Sequence, residues 1–393
     1  MDVREEAVQK KLELGGFLTT GTKYPLKDAH DLSVAYTPGV AEPCLRIKEK
    51  EELSFDLTCR SNMVAVVSDG TRVLGLGDIG AAAALPVMEG KSLLFKRFGN
   101  VDCVPLVLDT KDPEEIIRTV KLVQKNFAGI NLEDISSPKC YEIENRLKEE
   151  LEIPVFHDDQ HGTAIACLAG VEAALRFVKK DLSKVKIVVN GAGAAGANIA
   201  RLLYLAGARD ITLMVSSGVL NKNYKRLDSL QAEMIKLLDQ EEKTGTLAEV
   251  AKGADVLLGV SAAGVFTEDI LKNLAEDSIV FAMANPTPEV MYDVAKKCGV
   301  RVAGTGRSDA PNQINNVNVF PGIFRGAIDV HASKINDEMK LAAAEALANL
   351  VADEELREDY VVASAFDERV PLVVAKAVSE MAIKTGVARR VEK

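Results

Sequence analysis

The clearest alternation of apolar and polar positions lies at residues 186–208, KIVVNGAGAAGANIARLLYLAGA. A short apolar run stops at a glycine. Beyond it, apolar residues recur at i, i+3, i+4 and i+7, the spacing of one helix face, at Ile199, Leu202, Leu203 and Ala206. This change of period predicts a strand, a tight turn and a helix that packs on a sheet.

The predicted turn carries the motif GxGxxG. Its glycines would allow a sharp turn, close approach of a pyrophosphate and close packing of helix on strand, while the free N–H groups at the helix start favour an anion. The motif predicts a dinucleotide site, and the alternative is a purely structural strand–helix turn. The residues predicted to contact the dinucleotide here are Gly191, Ala192, Gly193, Ala194, Ala195 and Gly196.

Strand and helix patterns alternate from about residue 100 to the glycine motif and continue after it. Further strands are predicted at about 211–215, 255–260, 278–283 and 301–304, as a doubly wound parallel sheet requires. Two helices, at 334–351 and 370–385, follow. We therefore expect an α/β protein with a substrate and metal domain at 1–160, a Rossmann domain at 161–330 and C-terminal helices at 331–393.

The region before residue 100 predicts a different sheet. Apolar runs flank Asp69–Gly70, a strong two-residue hairpin signal, so we expect antiparallel strands and a mixed sheet. A second GxGxxG, GLGDIG at 75–80, follows. Pro86 lies within about two turns of that loop and predicts a short helix. We expect this second loop to be structural or to face the substrate.

Length and charge narrow the function. A chain of 393 residues exceeds the size at which single cores stop growing, which favours two domains. The net charge of −10 argues against a nucleic-acid or membrane-surface partner. The charged N-terminus and the lack of a long apolar run predict a cytoplasmic protein. The six cysteines show no C-x-x-C spacing, so neither a disulfide framework nor a zinc site is indicated.

Carboxylates follow two of the predicted strands. Glu133 and Asp134 end one strand, and Asp158 and Asp159 end another about 25 residues later. The carboxyl ends of neighbouring strands in an α/β sheet converge on the ligand crevice. Converging carboxylates repel one another unless a cation lies between them, and oxygen ligands suit Mg²⁺ or Mn²⁺. The alternative is a set of solvated loop acids.

Seven segments in order give the chain a resemblance to the malic enzymes of the short prokaryotic type. They cover most of its length: SVAYTPGVAEPC at 33–44, LGLGDIGAAAALPVMEGKSLLFK at 74–96, NLEDI at 131–135, VFHDDQHGTA at 155–164, NGAGAAG at 190–196, ANPTPEV at 284–290 and TGRSDAPNQINNVNVFPGIFRGA at 305–327. The resemblance implies oxidative decarboxylation of L-malate to pyruvate and CO₂ with NAD or NADP and Mg²⁺ or Mn²⁺. It also implies a homodimer.

The resemblance also implies roles for individual residues. Tyr36 matches the general acid of the family and Lys91 its general base, with Lys96 as the main rival base. The matches to the metal ligands are Glu133, Asp134 and Asp159, and those to the substrate amides are Asn285, Asn315 and Asn316, of which Asn285 would also contact the coenzyme. Arg72, near the predicted hairpin, is a candidate for binding a substrate carboxylate, although it could equally be a solvent-exposed side chain.

The coenzyme site departs from the usual NAD pattern. An acid that binds the ribose diol normally ends the second strand, but here that strand ends with Val215, Ser216 and Ser217. We therefore expect NADP to be accepted with a modest preference over NAD. Two other functions stay open: a malolactic-type conversion of malate to lactate with retained NAD, and a non-catalytic dinucleotide-dependent redox sensor, against which the converging carboxylates count.

Overall fold

The computed structural model describes residues 2–73 and 75–390, whose strands form two sheets. The first sheet has the order β2-β1-β3-β4, and every pairing in it is parallel. Its strands are β1 (Met63–Ser68), β2 (Asp102–Val107), β3 (Gly129–Leu132) and β4 (Val155–His157). The helices of this half are α1 (Val3–Leu14), α2 (Ala29–Ala35), α3 (Ala41–Glu49), α4 (Ser54–Leu57), α5 (Gly80–Gly99), α6 (Pro113–Val123) and α7 (Lys139–Glu150).

The second sheet has the order β10-β9-β8-β5-β6-β7 and is the predicted doubly wound sheet. Its strands are β5 (Lys186–Asn190), β6 (Asp210–Val215), β7 (Gly218–Val219), β8 (Val256–Gly259), β9 (Ile279–Ala282) and β10 (Val302–Thr305). They are parallel except for β7, which pairs antiparallel with β6. The remaining helices are α8 (Asp158–Val178), α9 (Ala194–Ala206), α10 (Ser229–Leu237), α11 (Leu247–Ala251), α12 (Glu268–Lys272), α13 (Tyr292–Lys297), α14 (Phe320–Asp329), α15 (Asp337–Ala348) and α16 (Arg369–Lys384).

The predicted hairpin at Asp69–Gly70 is wrong. β1 pairs in parallel with β2 and β3, and the chain after Gly70 enters a loop with one antiparallel bridge between Val73 and Gly77. Gly70 has φ +67°, and a Cβ there would lie 2.4 Å from the carbonyl oxygen of Gly80. The turn therefore brings the GLGDIG loop against the end of β1. The mixed sheet predicted for this half is also wrong, because the antiparallel pairing lies in the second sheet.

The short helix predicted after that loop is also wrong, because α5 runs for 20 residues with Pro86 inside it. Proline costs one backbone hydrogen bond and favours a kink. Packing against the core outweighs that cost here. Phe95 of α5 is fully buried, and its ring centroid lies 4.6 Å from that of Phe320 and 5.2 Å from that of Phe324 in α14. The same buried face of α5 carries Lys91.

Helix α8 joins the two sheets and is apolar along most of its length. By length and composition it could cross a membrane, contrary to the sequence-based reading that no such run exists. Here most of its residues are buried, as expected for the central helix of a packed core. Its N-terminus lies at the end of β4 and brings Asp158 and Asp159 to the edge of the first sheet.

The N-terminal arm, formed by α1, α2 and α3, packs differently from the rest. Among the described residues of these helices none is buried. The arm touches α5 through Lys11 and the Phe17 N–H, which donate to the Glu89 carboxylate. Several of its large apolar side chains face solvent, among them Leu12, Leu32, Val34, Tyr36 and Leu45.

Candidate active site

The glycine loop at the start of α9 has the geometry that dinucleotide binding needs. Gly191 has φ +115°, and a Cβ there would lie 2.5 Å from the Val260 carbonyl oxygen. A Cβ at Gly196 would lie 1.7 Å from the Gly191 carbonyl oxygen, whereas one at Gly193 would meet nothing within 4 Å. Two glycines therefore permit the turn and the close packing, and the third leaves open space at the N-terminus of α9, where a pyrophosphate fits.

The predicted metal ligands come together at the carboxyl ends of β3 and β4. Because these strands pair in parallel, Glu133 and Asp134 after β3 meet Asp159 at the start of α8. Ligand oxygens of the three residues lie within 4.8 Å of one another. Asp134 has φ +53°, and its N–H donates to Asp159 Oδ2 at 2.8 Å, which fixes the two residues relative to each other.

The chemistry of this cluster fits a divalent cation. Burial, and then repulsion from Asp159, raises the pKa of Asp134 to about 8, while burial also raises the pKa of Glu133 well above its usual value. Asp134 Oδ2 is buried without a hydrogen-bond partner in the described residues. A cation between the carboxylates would remove both the repulsion and the unsatisfied oxygen. Glu133, Asp134 and Asp159 could therefore hold Mg²⁺ or Mn²⁺.

Lys91 lies beside this cluster and is 8% exposed. Its Nζ is 2.5 Å from Asp158 Oδ2 and 2.9 Å from Glu133 Oε1. Burial alone would lower the pKa of Lys91, but the two carboxylates outweigh burial and raise it above its usual value. The surface-lysine alternative for Lys91 is therefore wrong. Lys96, the rival base, is exposed and pairs with Asp102.

Asp158 is among the predicted converging carboxylates, but the family resemblance implies no individual role for it. It is fully buried, and its Oδ2 accepts from both Lys91 and Asn316 Nδ2, each at 2.5 Å. Burial raises its pKa more than Lys91 lowers it. The available signal was its place beside Asp159 at a strand end. However, only the folded chain shows that α5, α8 and the segment before α14 converge on it.

The predicted substrate residues differ in their contacts with this cluster. Asn316 contacts Asp158 directly, whereas the Asn315 side chain accepts from the Val317 N–H and caps a short helical turn. Arg72 is exposed, and its backbone N–H donates to the Asp134 carbonyl oxygen at 3.0 Å. Asn285 lies in the loop after β9, where a Cβ at Gly75 would be 3.2 Å from Cδ of neighbouring Pro286. The GLGDIG loop thus faces the Asn285 loop.

Tyr36 is not gathered into the site. It is 67% exposed at the end of α2, and its hydroxyl makes no hydrogen bond within the described part of the chain. In the predicted coenzyme region, Val215 ends β6 as predicted, and Ser216 and Ser217 are exposed in the turn to β7. Lys222 pairs with Glu242.

Comparison with known proteins decides the family. The model of the malic enzyme N-terminal domain matches residues 18–148, and that of the malic enzyme NAD-binding domain matches 160–298 and 299–383. The chain belongs to the malic enzyme family. The resemblance in its seven sequence segments is therefore confirmed, and the chain is an enzyme of this kind with a nicotinamide-coenzyme domain.

Similar malic enzymes cover nearly the whole chain. It is 52% identical to the bifunctional malic/malolactic enzyme of Bacillus subtilis over 99% of this chain and 95% of that protein. It is also 52% identical to the NAD-dependent malic enzyme of Geobacillus stearothermophilus, over 96% of this chain and 79% of that protein. The crystal structure of the malic enzyme from Pyrococcus horikoshii superposes with a TM-score of 0.93 at 44% identity, covering 98% of this chain and 93% of that one.

Proposed function

We propose that this malic enzyme oxidatively decarboxylates L-malate to pyruvate and CO₂, with NAD or NADP and with Mg²⁺ or Mn²⁺. The observation that carries the proposal is the buried Lys91 ammonium at 2.9 Å from Glu133, a member of the Glu133, Asp134 and Asp159 cluster. The site thus combines a group that can exchange a proton with a cluster that can hold a cation, beside loops of the coenzyme domain.

The first step needs a base at the malate C2 hydroxyl. A hydride leaves C2 for the nicotinamide while the hydroxyl proton passes to neutral Lys91, which gives oxaloacetate. A cation held by the cluster would polarise the substrate oxygen as a Lewis acid. A cation held at Glu133 would also offset one of the two carboxylate charges that raise the Lys91 pKa, which would shift that pKa toward the range in which the neutral amine acts as a base.

The second step breaks the bond between C3 and the departing carboxylate. The bond electrons pass to the C2 oxygen as CO₂ leaves, and the proton taken up by Lys91 returns to that oxygen to give the enol of pyruvate. The enol takes a proton at C3, and Tyr36 is the residue that the resemblance assigns as its donor. Since Tyr36 is exposed on an arm without buried residues, we propose a homodimer in which the arm packs on a second copy and supplies Tyr36 to that copy's site.

Subunit mixing tests this arrangement. Tyr36→Phe and Lys91→Ala chains are each expected to be nearly inactive alone, because each lacks one proton-transfer group. If Tyr36 crosses to the partner, a mixed dimer has one site with both substitutions and one intact site, so co-refolding the two inactive variants restores activity. Absence of any recovery in demonstrably mixed dimers would contradict the crossing. Mixing Tyr36→Phe with wild-type chains is the control for exchange.

Malolactic conversion is a second candidate function, because the relative from Bacillus subtilis carries both activities in its name. In that reaction the coenzyme would stay bound, and the pyruvate would be reduced to lactate.

The proposal as a whole is tested by incubating the protein with L-malate, NAD or NADP, and Mn²⁺ or EDTA. We expect absorbance at 340 nm to rise only with the metal. A metal-independent rise would contradict the assigned role of the cluster.

The coenzyme preference yields a separate prediction. Val215 ends β6 where a carboxylate would accept from the ribose diol and repel a 2′-phosphate. Ser216 or Ser217, exposed after β6, could donate to a 2′-phosphate, and one such charge-assisted hydrogen bond gives an expected preference for NADP of about 1–2 kcal/mol. Relatives named as NAD-dependent and as NADP-dependent both exist. Val215→Asp should shift kcat/KM toward NAD, with Val104→Asp, at an exposed position of β2 in the first sheet, as the control. An unchanged ratio in Val215→Asp would show that the ribose is bound elsewhere.

A further inference from the structure

A buried carboxylate, Glu144 on α7, lies behind the first turn of α8 and has no part in the proposed chemistry. It is 2% exposed. Its Oε1 accepts from the His157 N–H at 3.1 Å and lies 2.6 Å from Lys148 Nζ, and its Oε2 accepts from Gln160 Nε2 at 2.9 Å. One carboxylate thus contacts the end of β4 and the beginning of α8 together.

His161 extends this network to the C-terminal helices. Its Nε2 lies 2.9 Å from Glu144 Oε1, and its Nδ1 lies 3.3 Å from Lys340 Nζ on α15. Lys340 can only donate, so Nδ1 accepts and the hydrogen lies on Nε2, which donates to Glu144.

A second branch reaches the dinucleotide loop. Asn198 Nδ2 on α9 donates to Gln160 Oε1 at 3.3 Å and to the Ala194 carbonyl oxygen at 2.9 Å. Ala194 is the first residue of α9 and belongs to the glycine motif. Glu144 and Gln160 therefore connect the first turn of α8, which carries Asp159 of the metal cluster, with the first turn of α9, which begins at the glycine loop.

The residues fixed by Glu144 flank Asp158 and Asp159 on both sides. His157 precedes them, and Gln160 and His161 follow, so the direction in which the two carboxylates project depends on this turn. We infer that Glu144 is a positioning residue that holds the first turn of α8 in the orientation needed for metal binding. This inference rests on the proposed metal site. In metal sites generally, replacing a residue that orients the ligands through hydrogen bonds weakens metal binding about 10- to 100-fold.

The test measures Mn²⁺ affinity directly, from the electron paramagnetic resonance signal of free Mn²⁺, in the full-length protein. In Glu144→Gln one of the two acceptor oxygens becomes an NH₂ group, which would face either the Gln160 donor or the Lys148 and His161 donors instead of accepting from them. We expect its Kd for Mn²⁺ to rise about 10- to 100-fold. Glu142→Gln is the matched control, because it removes the same charge from an exposed position on α7 and should leave the Kd unchanged.

Two further measurements separate positioning from folding. Thermal unfolding and coenzyme fluorescence show whether Glu144→Gln is folded. Gln160→Met removes one hydrogen bond to Glu144 without changing any charge, and should raise the Kd about 2- to 10-fold. At saturating Mn²⁺ we expect both variants to recover most of kcat. A folded Glu144→Gln or Gln160→Met protein with wild-type Mn²⁺ affinity would overturn the positioning role, whereas a wild-type protein that binds no Mn²⁺ would overturn the metal site itself.

Discussion

Replacing Lys91 with alanine is expected to lower kcat for malate oxidation by about 10²- to 10⁴-fold, the usual contribution of a positioned base. The reason is geometric, because the Lys91 ammonium contacts Asp158 and Glu133 and so lies beside the proposed metal site, where the malate hydroxyl would bind. Mn²⁺ binding should persist in this variant, because the three oxygen ligands remain. The measurement is the steady-state rate of NAD(P)H formation at saturating malate and Mn²⁺.

The matched control for this experiment is Lys96→Ala. Lys96 lies on the same helix, but its side chain is exposed and pairs with Asp102 at the surface, so its loss should leave kcat within about twofold because exposed ion pairs contribute little. A Lys91→Ala protein with a wild-type rate would show that another group takes the proton. The reverse pattern, with Lys96→Ala inactive, would identify the rival base.

Asp159→Asn is expected to weaken Mn²⁺ binding by more than about tenfold, since it removes an anionic ligand from the cluster. The substitution is nearly isosteric, and the asparagine Oδ1 can still accept from the Asp134 N–H, so the fold should survive. Mn²⁺ titration of the purified variant checks the affinity. Asp210→Asn, at the start of β6 and exposed, is the control that should bind as the wild type does.

The same variant should also become more stable when no metal is present. Repulsion from Asp159 is among the causes that raise the pKa values of Glu133 and Asp134, so a neutral side chain at this position relieves it. We expect a higher melting temperature for Asp159→Asn than for wild type in EDTA, and a smaller increase on adding Mn²⁺. A lower melting temperature in EDTA together with unchanged Mn²⁺ affinity would contradict the assignment of this ligand.

The parts of the fold that could be predicted from sequence depend on local patterns. The glycine motif lies between a buried strand and an amphipathic helix, and those neighbours in the chain define the β5–α9 unit almost completely. The convergence of Glu133, Asp134, Asp158 and Asp159 was also predictable, because the carboxyl ends of parallel strands meet at one edge and the acids lie within two residues of their strands. The choice of three of them as metal ligands depends on the family resemblance.

The errors arose where distant packing decides the outcome. Asp69–Gly70 has hairpin chemistry, but β1 finds its partners 39 and 65 residues later, at the Met63–Asp102 and Val64–Gly129 pairings, which no local signal reveals. Pro86 would end an isolated helix, yet burial of α5 against α14 carries the helix past it. Asp158 gains its role from Lys91 and Asn316, which lie 67 residues before it and 158 after it.

The stoichiometry of products tests the central claim most directly. Purified protein is supplied with L-malate, Mn²⁺ and excess NADP or NAD, and pyruvate, lactate and NAD(P)H are quantified in the same sample. Oxidative decarboxylation predicts one pyruvate and one NAD(P)H for each malate consumed, with loss of both in EDTA. Malate consumption that yields lactate without net NAD(P)H would contradict it and would identify the malolactic reaction as the activity of this chain.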